Sequence, residues 1–187
     1  MRPPMETHIY QIGPNATSQG VYLGSHLGTP GADTFARLNW NAETGLHLTM
    51  WCYETATNDG WLACCLNCQP RYRYKGFLAI EFRSDGTCRC SFGPDKLNRI
   101  DFSTLGVPMP KLQISHTIRD GGSCWMGQIQ IPRKTLNKLY GIPCNLQSGH
   151  KLRGNFYSFS ESHWCSWAPA SQPEPYMDEY FGLLEIL

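Results

Sequence analysis

The chain has 187 residues, of which 41% are hydrophobic, and its 16 basic and 15 acidic side chains leave a formal net charge of +1. A chain of this length buries a substantial core and is expected to form one domain over residues 1–187. The near-neutral charge, without a run of Lys or Arg, disfavours nucleic acids and anionic membranes as partners, and no apolar run approaches the length of a membrane span.

The first third of the chain predicts strands that are separated by polar, glycine-containing connections. Strands are expected at residues 7–12, 34–38 and 46–53. The last of these alternates between apolar and more polar side chains, which is typical of a strand with one face in the core. The connections are expected at residues 15–33, 39–45 and 54–60.

The middle of the chain predicts further strands and one helix. The strands are expected at residues 61–68, 76–83, 87–92, 111–119 and 124–131, with loops at 69–75, 94–110 and 120–122. The turn at Ser84, Asp85 and Gly86 carries the Asp-Gly signal of a tight hairpin. Residues 132–140 are the one good helix candidate, because Pro132 suits a first helical turn and Gly141 suits a helix end.

The C-terminal segment at residues 152–184 is rich in aromatic side chains. Its first part, residues 152–159, has the pattern of a strand, and a last strand is expected at residues 182–187. Pro169, Pro173 and Pro175 exclude a helix between them, because proline lacks the backbone N–H and fixes φ. A stiff loop with large aromatic rings is typical of a ligand surface, although such rings also cap hydrophobic cores.

These elements together indicate an all-β protein. The chain contains 18 glycines and 13 prolines, and they separate many short apolar runs. No internal repeat and no linker divides the sequence. We therefore expect an antiparallel β-sandwich with one short helix, in a single domain.

The nine cysteines are a high and odd number. Because the N-terminus has no apolar export signal, they favour a reduced, cytoplasmic protein over a disulfide scaffold. Two closely spaced pairs, Cys65 with Cys68 and Cys88 with Cys90, contain the ligand type of a structural zinc site. However, alternation along a strand directs Cys64 and Cys65 to opposite faces. We therefore expect these thiols in the core, and we expect no metal and no cofactor.

The sequence contains none of the familiar catalytic motifs, such as GxSxG, a Gly-rich phosphate loop or HExxH. His163 is close to Cys165 and Ser166 in sequence, but residues two and three apart on an extended chain do not form a nucleophile–base pair unaided. The carboxylates near aromatic residues are Glu54, Glu81, Glu161, Asp178 and Glu179. None of their spacings indicates a glycosidase pair, although such pairs come from distant strands. The sequence favours a protein that is not an enzyme.

Three segments, in order, carry a resemblance to a known family. The first joins LHLTMWCYE at residues 46–54 to WLACCLN at 61–67, and the second is FLAIEFRSDGTCRCSFGPDKLNR at 77–99. The third joins GNFYSFSESHWCSWAP at residues 154–169 to PYMDEYFGLLEI at 175–186. Together these segments resemble the cytosolic, stand-alone proteins related to carbohydrate-binding module family 9. The resemblance extends over residues 34–187 and depends on the order and spacing of the segments.

The resemblance implies a β-sandwich that holds a terminal sugar between two aromatic rings. Trp61 matches the first ring. For the second ring, Tyr176 is the best match and Trp167 is the next choice. Elementary chemistry agrees, because sugars have apolar C–H faces that stack on rings and hydroxyl groups that need donors and acceptors. The expected ligand-binding residues are Trp61, Asn67, Glu81, Arg153, Asn155, His163, Trp164, Trp167 and Tyr176.

The chain departs from the family pattern at several positions. Ala63 stands where the family has an aspartate, and Asn67 stands where it has a glutamate, which accepts hydrogen bonds more strongly. Tyr176, Met177 and Asp178 replace a phenylalanine-histidine-arginine sequence. These changes leave the sheet intact but allow a different ligand. Family modules can also hold structural calcium, but no DxDxDG-type loop is present and we do not expect it.

Three functional hypotheses follow. The first is non-catalytic saccharide binding through an aromatic platform, in a cytoplasmic protein with no nucleic-acid or membrane partner. The second is a cytosolic enzyme that uses the same cleft, with His163 and either Glu81 or Asp178 as the acid and base. The third is a ligand-free interaction domain, in which exposed aromatic rings form a protein interface.

Overall fold

The computed structural model describes residues 8–28, 33–53, 60–119, 121–144 and 146–187. Most of the expected loop at 54–60 and parts of the expected elements at 7–12, 15–33 and 120–122 lie outside these residues. The strands are β1 Ile9–Pro14, β2 Val21–Tyr22, β3 Asp33–Asn41, β4 Gly45–Tyr53, β5 Trp61–Asn67, β6 Phe77–Phe82, β7 Cys88–Gly93, β8 Ile100–Asp101, β9 Leu112–Arg119, β10 Gly122–Ile131, β11 Lys151–Phe159, β12 Trp164–Ser166 and β13 Gly182–Ile186. The helix α1 spans Arg133–Tyr140, and short 3-10 turns lie at Pro70–Lys75 and Asp178–Tyr180.

The strands form one strongly curled mixed sheet. Its first half has the order β8-β7-β6-β5-β11-β13-β1, and its second half continues from β1 as β3-β4-β10-β9. Strand β1 runs parallel to both of its neighbours, β13 and β3, whereas the other pairs are antiparallel. The expected all-β class with one short helix is confirmed. The expectation of a purely antiparallel sandwich is wrong at β1, which joins the two halves into one continuous sheet.

The main core fills the space inside the curl. It receives the inward side chains of both halves, such as Leu48 and Met50 from β4 and Leu62 and Cys64 from β5. A second, smaller cluster lies on the outer face of the first half, where residues 160–181 cover the sheet. Its buried members are Ala63, Cys65, Phe77, Ala79, Tyr157, Trp164, Ala170 and Phe181. Strands β5 and β6 are therefore buried on both faces, which explains their nearly continuous apolar sequences.

Local sequence signals fix several element ends. Pro132 precedes α1, and Gly141 ends the helix with a φ of 69° in the left-handed region, as the sequence predicts. The expected turn at 39–45 is shorter in the structure, because residues up to Asn41 pair with the strand that begins at Gly45. In the part of the chain that the structure describes, no helix is both long and apolar enough to span a membrane.

Candidate ligand-binding site

The outer face of the first half of the sheet carries a row of three facing residues. Ala63 on β5 lies opposite Glu81 on β6, and Glu81 lies opposite Arg89 on β7. Trp61 is two residues before Ala63, so strand alternation directs its side chain to the same face. The tight turn between β6 and β7 sets this register.

The ring of Trp61 is half-buried beneath two guanidinium groups. The Cζ atom of Arg89 lies 4.0 Å from the ring centroid, and the Cζ atom of Arg83 lies 5.2 Å from it. At these distances a cation is attracted to the face of an indole. The side chain of Arg89 is 55% exposed, so its remaining N–H groups stay accessible to a ligand.

Glu81 is the buried acid of this face, with only 4% of the residue exposed. Its Oε1 atom lies 3.4 Å from Nη2 of Arg89. A second neighbour is the phenol of Tyr176, which lies close enough to the Glu81 carboxylate to be affected by its negative charge. Burial raises the pKa of Tyr176, and the nearby negative charge of Glu81 raises it further, so the phenol stays protonated at neutral pH.

Tyr176 is oriented by Arg99, whose guanidinium carbon lies 5.2 Å from the Tyr176 ring centroid and 4.5 Å from that of Phe77. Arg99 is itself fixed, because it donates to the Ser91 hydroxyl at 3.0 Å and to the carbonyl oxygens of Phe77, Ser91 and Gly93. Burial lowers the pKa of Arg99 from its ordinary value. The guanidinium therefore serves as a rigid support for the Tyr176 ring.

Two ion pairs hold the segment that carries Tyr176. Two residues before it, Glu174 pairs with Lys96 at 2.7 Å. Two residues after it, Asp178 accepts two hydrogen bonds from Arg73, at 2.6 and 2.7 Å. This bidentate geometry is the most specific form of an Arg–carboxylate pair. The segment is thus anchored on both sides of the ring.

These contacts join both expected stacking rings in one chain of interactions, from Trp61 through Arg89 and Glu81 to Tyr176 and Arg99. We call these five residues the outer-face cluster. It combines two half-buried rings with a buried carboxylate and partly exposed guanidinium groups, so it offers stacking surfaces, an acceptor and several donors. Among the described residues, no group of three or more His, Cys, Asp or Glu is arranged to hold a metal ion.

Asn67 and Arg153 are not brought to this cluster. Asn67 ends β5, six residues and roughly 20 Å from Trp61 at the usual strand rise. It is buried, and its side-chain amide oxygen Oδ1 accepts hydrogen bonds from the Tyr140 hydroxyl at 3.2 Å and the backbone N–H of Gln69 at 3.0 Å. Arg153 lies opposite Asn67 and donates to the carbonyl of Phe181. Both side chains support the far end of the sheet.

Asn155 and Trp167 have structural positions. The Asn155 amide is fully buried and makes two hydrogen bonds to the backbone of Ala168, both at 2.9 Å. It therefore fixes the C-terminal segment to β11. Trp167 packs inside the curl, with its ring centroid 6.1 Å from that of Tyr10 and 5.9 Å from that of Phe156. It belongs to the main core, on the other side of the sheet from Trp61.

His163 and Trp164 lie beside the cluster. Trp164 is buried in the smaller hydrophobic cluster on the outer face of the first half, where its ring contacts those of Tyr157 and Phe159 at centroid distances of 5.1 and 5.7 Å. The His163 ring nitrogens lie 3.0 Å from the Ser158 hydroxyl and 2.7 Å from the Ser160 hydroxyl.

The acid–base arrangement expected for an enzyme finds no support in these contacts. His163 is hydrogen-bonded to two serine hydroxyls. Glu81 is paired with Arg89 and lies near the Tyr176 phenol, and Asp178 is paired with Arg73. Each carboxylate named for that role therefore already has a cationic partner that holds it in place.

Sequence reasoning missed the three arginines of this face. Arg83 and Arg89 could have been predicted, because counting outward from the three-residue turn at 84–86 pairs Glu81 with Arg89. Arg99 had no such signal, since it comes from an irregular segment between β7 and β8. Its position depends on non-local hydrogen bonds to Phe77 and Ser91.

Comparisons with known proteins address the fold. The sequence matches no protein-family model and no curated protein. Among solved structures, it is similar to the crystal structure of a "putative carbohydrate-binding protein" from Bacteroides uniformis, with a TM-score of 0.74 at 15% sequence identity over 97% of this chain and 100% of that chain. The two chains share a fold along their whole length.

Proposed function

We propose that this protein binds a saccharide at the outer-face cluster, without catalysing its conversion. The observation that carries the proposal is the buried Glu81 carboxylate. It pairs with Arg89, which lies over the Trp61 ring, and it also lies near the phenol of Tyr176. The fold shared with the Bacteroides uniformis protein supports the same conclusion.

Each component of the cluster has a role in this proposal. The accessible parts of the Trp61 and Tyr176 rings receive the apolar C–H face of a sugar ring. Glu81 accepts a hydrogen bond from a sugar hydroxyl, and Arg89 donates to another, as charged partners make the stronger hydrogen bonds. Because Tyr176 and Arg99 are already fixed, little side-chain entropy is lost on binding.

The cluster also provides a substitute for the acidic residues that the family pattern has on β5. Ala63 has no polar atom, but it lies directly opposite Glu81, which brings a carboxylate to the same row from β6. We therefore propose that this chain is a diverged relative of carbohydrate-binding module family 9, in which Glu81 on β6 replaces the acidic residues of β5. We also propose a cytoplasmic location, which is supported by nine cysteines that are all free thiols.

A tryptophan-fluorescence titration against mono- and disaccharides tests this function. We expect a saturable change with at least one sugar, and we expect Trp61→Ala and Tyr176→Ala each to abolish it. Ile118→Ala is a suitable control, because Ile118 is 78% exposed on the edge strand β9 of the other half. A saturable response that persists in both cluster variants would assign the sugar to another site, and no response to any sugar would reject the function.

A further inference from the structure

The outer face of the second half of the sheet contains a polar depression. A cavity of about 220 Å³ lies on this face, between outward side chains of β4 and β10 and the edge strand β9. Its polar lining residues are His47, Thr49, Lys111, Gln113, Gln128 and Gln130. Thr49, Gln128 and Gln113 form one row across the three strands, and His47 lies opposite Gln130 in the next row.

The lining is rich in neutral hydrogen-bonding groups. Three side-chain amides, one hydroxyl and one imidazole present both donors and acceptors. Among the described residues that line the cavity, none is a carboxylate, and Lys111 is the one with a permanent charge. One end of the depression is already fixed, because Gln130 donates to the Thr44 carbonyl at 2.9 Å and the Thr44 hydroxyl lies 2.7 Å from Nε2 of His47.

Two aromatic rings continue this face on the other side of the Thr49 row. The rings of Phe35 and Trp51 are nearly parallel, with an interplanar angle of 12° and centroids 5.5 Å apart. Trp51 reaches across β3 to Gly20, where an added Cβ would come 2.7 Å from its Cη2 atom. The indole therefore extends along the sheet surface, and both rings are half-buried.

Arg37 lies between the rings and the polar row. It is opposite Thr49 on β3, and its guanidinium carbon is 5.9 Å from the Trp51 ring centroid. Its Nε atom is buried without a hydrogen-bond partner among the described residues. Arg37 therefore adds a guanidinium group to the Thr49 row, beside the Trp51 ring.

We propose that this face is a second saccharide-binding site, for a neutral oligosaccharide of two or more sugar units. The ring pair and the amide row are separated by two residues of β4, roughly 7 Å along the strand, so one ligand must extend over both. Neutral amides beside rings suit a chain of hydroxyl groups with apolar C–H faces. A polyanion would need more cations than Arg37 and Lys111.

The second site is independent of the outer-face cluster. The cluster lies on β5, β6 and β7 and the loops that carry Arg99 and Tyr176, in the first half of the sheet, whereas this face occupies β3, β4, β10 and β9 in the second half. Binding of mono- and disaccharides, abolished by Trp61→Ala, reports on the cluster. Binding of longer chains that survives Trp61→Ala reports on the second site. Either proposal can therefore fail while the other stands.

Isothermal titration calorimetry of the 187-residue chain that carries Trp61→Ala tests the second site. The probes are cellohexaose, maltohexaose, laminarihexaose and mannohexaose, which are neutral hexasaccharides with different linkages. We expect saturable binding of at least one of them. Adding Gln113→Ala and Gln128→Ala should weaken this binding by about tenfold or more, because each removed hydrogen bond contributes about 1 kcal/mol.

Both glutamines are exposed, so their removal should leave the protein folded, and circular dichroism verifies this. Gln147→Ala removes an exposed glutamine elsewhere and should leave the affinity unchanged. The second site is overturned if none of the four hexasaccharides binds, or if the double glutamine variant binds as tightly as its parent. If no sugar binds but the chain self-associates, and Gln113→Ala with Gln128→Ala abolishes that self-association, the occupant of this face is a second copy of the chain.

Discussion

The Glu81 carboxylate is buried 3.4 Å from the Arg89 guanidinium, and that guanidinium lies over the ring of Trp61. A buried carboxylate is costly unless it is paired. Arg89 supplies the opposite charge, and the phenol of Tyr176 lies near the same carboxylate. The pairing that makes the buried acid tolerable also brings two aromatic rings to one place on the sheet.

Replacement of this acid by its neutral amide should weaken both folding and saccharide binding. Glu81→Gln keeps the shape of the side chain but removes the charge that pairs with Arg89. Because Arg89 is partly solvated, we expect a loss of about 1–2 kcal/mol in the free energy of unfolding, measured by urea denaturation. Saccharide affinity should fall by about tenfold. Glu179→Gln, at an exposed carboxylate of the segment that carries Tyr176, should change neither quantity.

The ion pairs on both sides of Tyr176 should matter for affinity and little for stability. Glu174→Gln with Asp178→Asn removes the partners of Lys96 and Arg73, which are largely exposed. Pairs of this kind contribute little to folding, so the melting temperature should hardly change. The loosened segment should lower the affinity severalfold and speed proteolysis within residues 171–180. An unchanged affinity would show that the ring is positioned by Arg99 alone.

Truncation of Trp167 should lower stability and leave saccharide affinity unchanged, whereas truncation of Trp61 should mainly lower the affinity. Trp167→Ala removes a large side chain from the main core and should cost about 3–5 kcal/mol in the free energy of unfolding. The folded fraction should bind the sugar with unchanged affinity, because this ring lies inside the curl. Trp61→Ala should lose binding with a much smaller change in urea midpoint. The reverse pattern would place the ligand on the inner side of the C-terminal segment.

Stability should fall in alkaline solution because of buried thiols and phenols. Burial raises the pKa values of Cys64, Cys65 and Tyr157 in the folded protein. An unfolded chain ionises its thiols from about pH 8.5 and its phenols from about pH 10. The unfolded state therefore loses protons first, so the free energy of unfolding should decline as pH rises above about 8.5.

Cys65→Ala provides the test of this pH dependence. The variant should show a shallower decline between about pH 8.5 and 10, measured by urea denaturation at several pH values, because one buried thiol no longer contributes. Its stability at pH 7 should also be lower, because the thiol donates to the carbonyl of Pro175 at 3.3 Å. An equal slope in both proteins would mean that Cys65 ionises alike in the folded and unfolded states.

The sequence predicts the local parts of this structure better than the non-local parts. Alternation identifies β4, the Asp85-Gly86 turn identifies the β6–β7 hairpin, and Pro132 with Gly141 bounds the helix. The parallel pairing of β1 joins residues far apart in the chain, which periodicity does not reveal. Strands β2, β8 and β12 are too short for a pattern to indicate them.

For the candidate site, sequence reasoning identified residue types better than their positions. Trp61 and Tyr176 come together in the structure, but Asn67 lies at the other end of the same strand. Alternation indicates which face a residue occupies and says nothing about which end is the site. Asn155 and Trp167 looked like ligand residues because polar and aromatic side chains also stabilise buried loops. Their backbone and core contacts depend on how the C-terminal segment folds back.

Two-dimensional NMR of the tryptophan indole N–H groups tests the central claim most directly. The chain has six tryptophans, which give six distinguishable signals that can be assigned by substitution. During titration with the saccharide that binds, we predict that the Trp61 signal shifts most and that the core signals of Trp125 and Trp167 stay in place. A titration in which Trp61 does not move while another indole does would contradict a sugar site at the outer-face cluster.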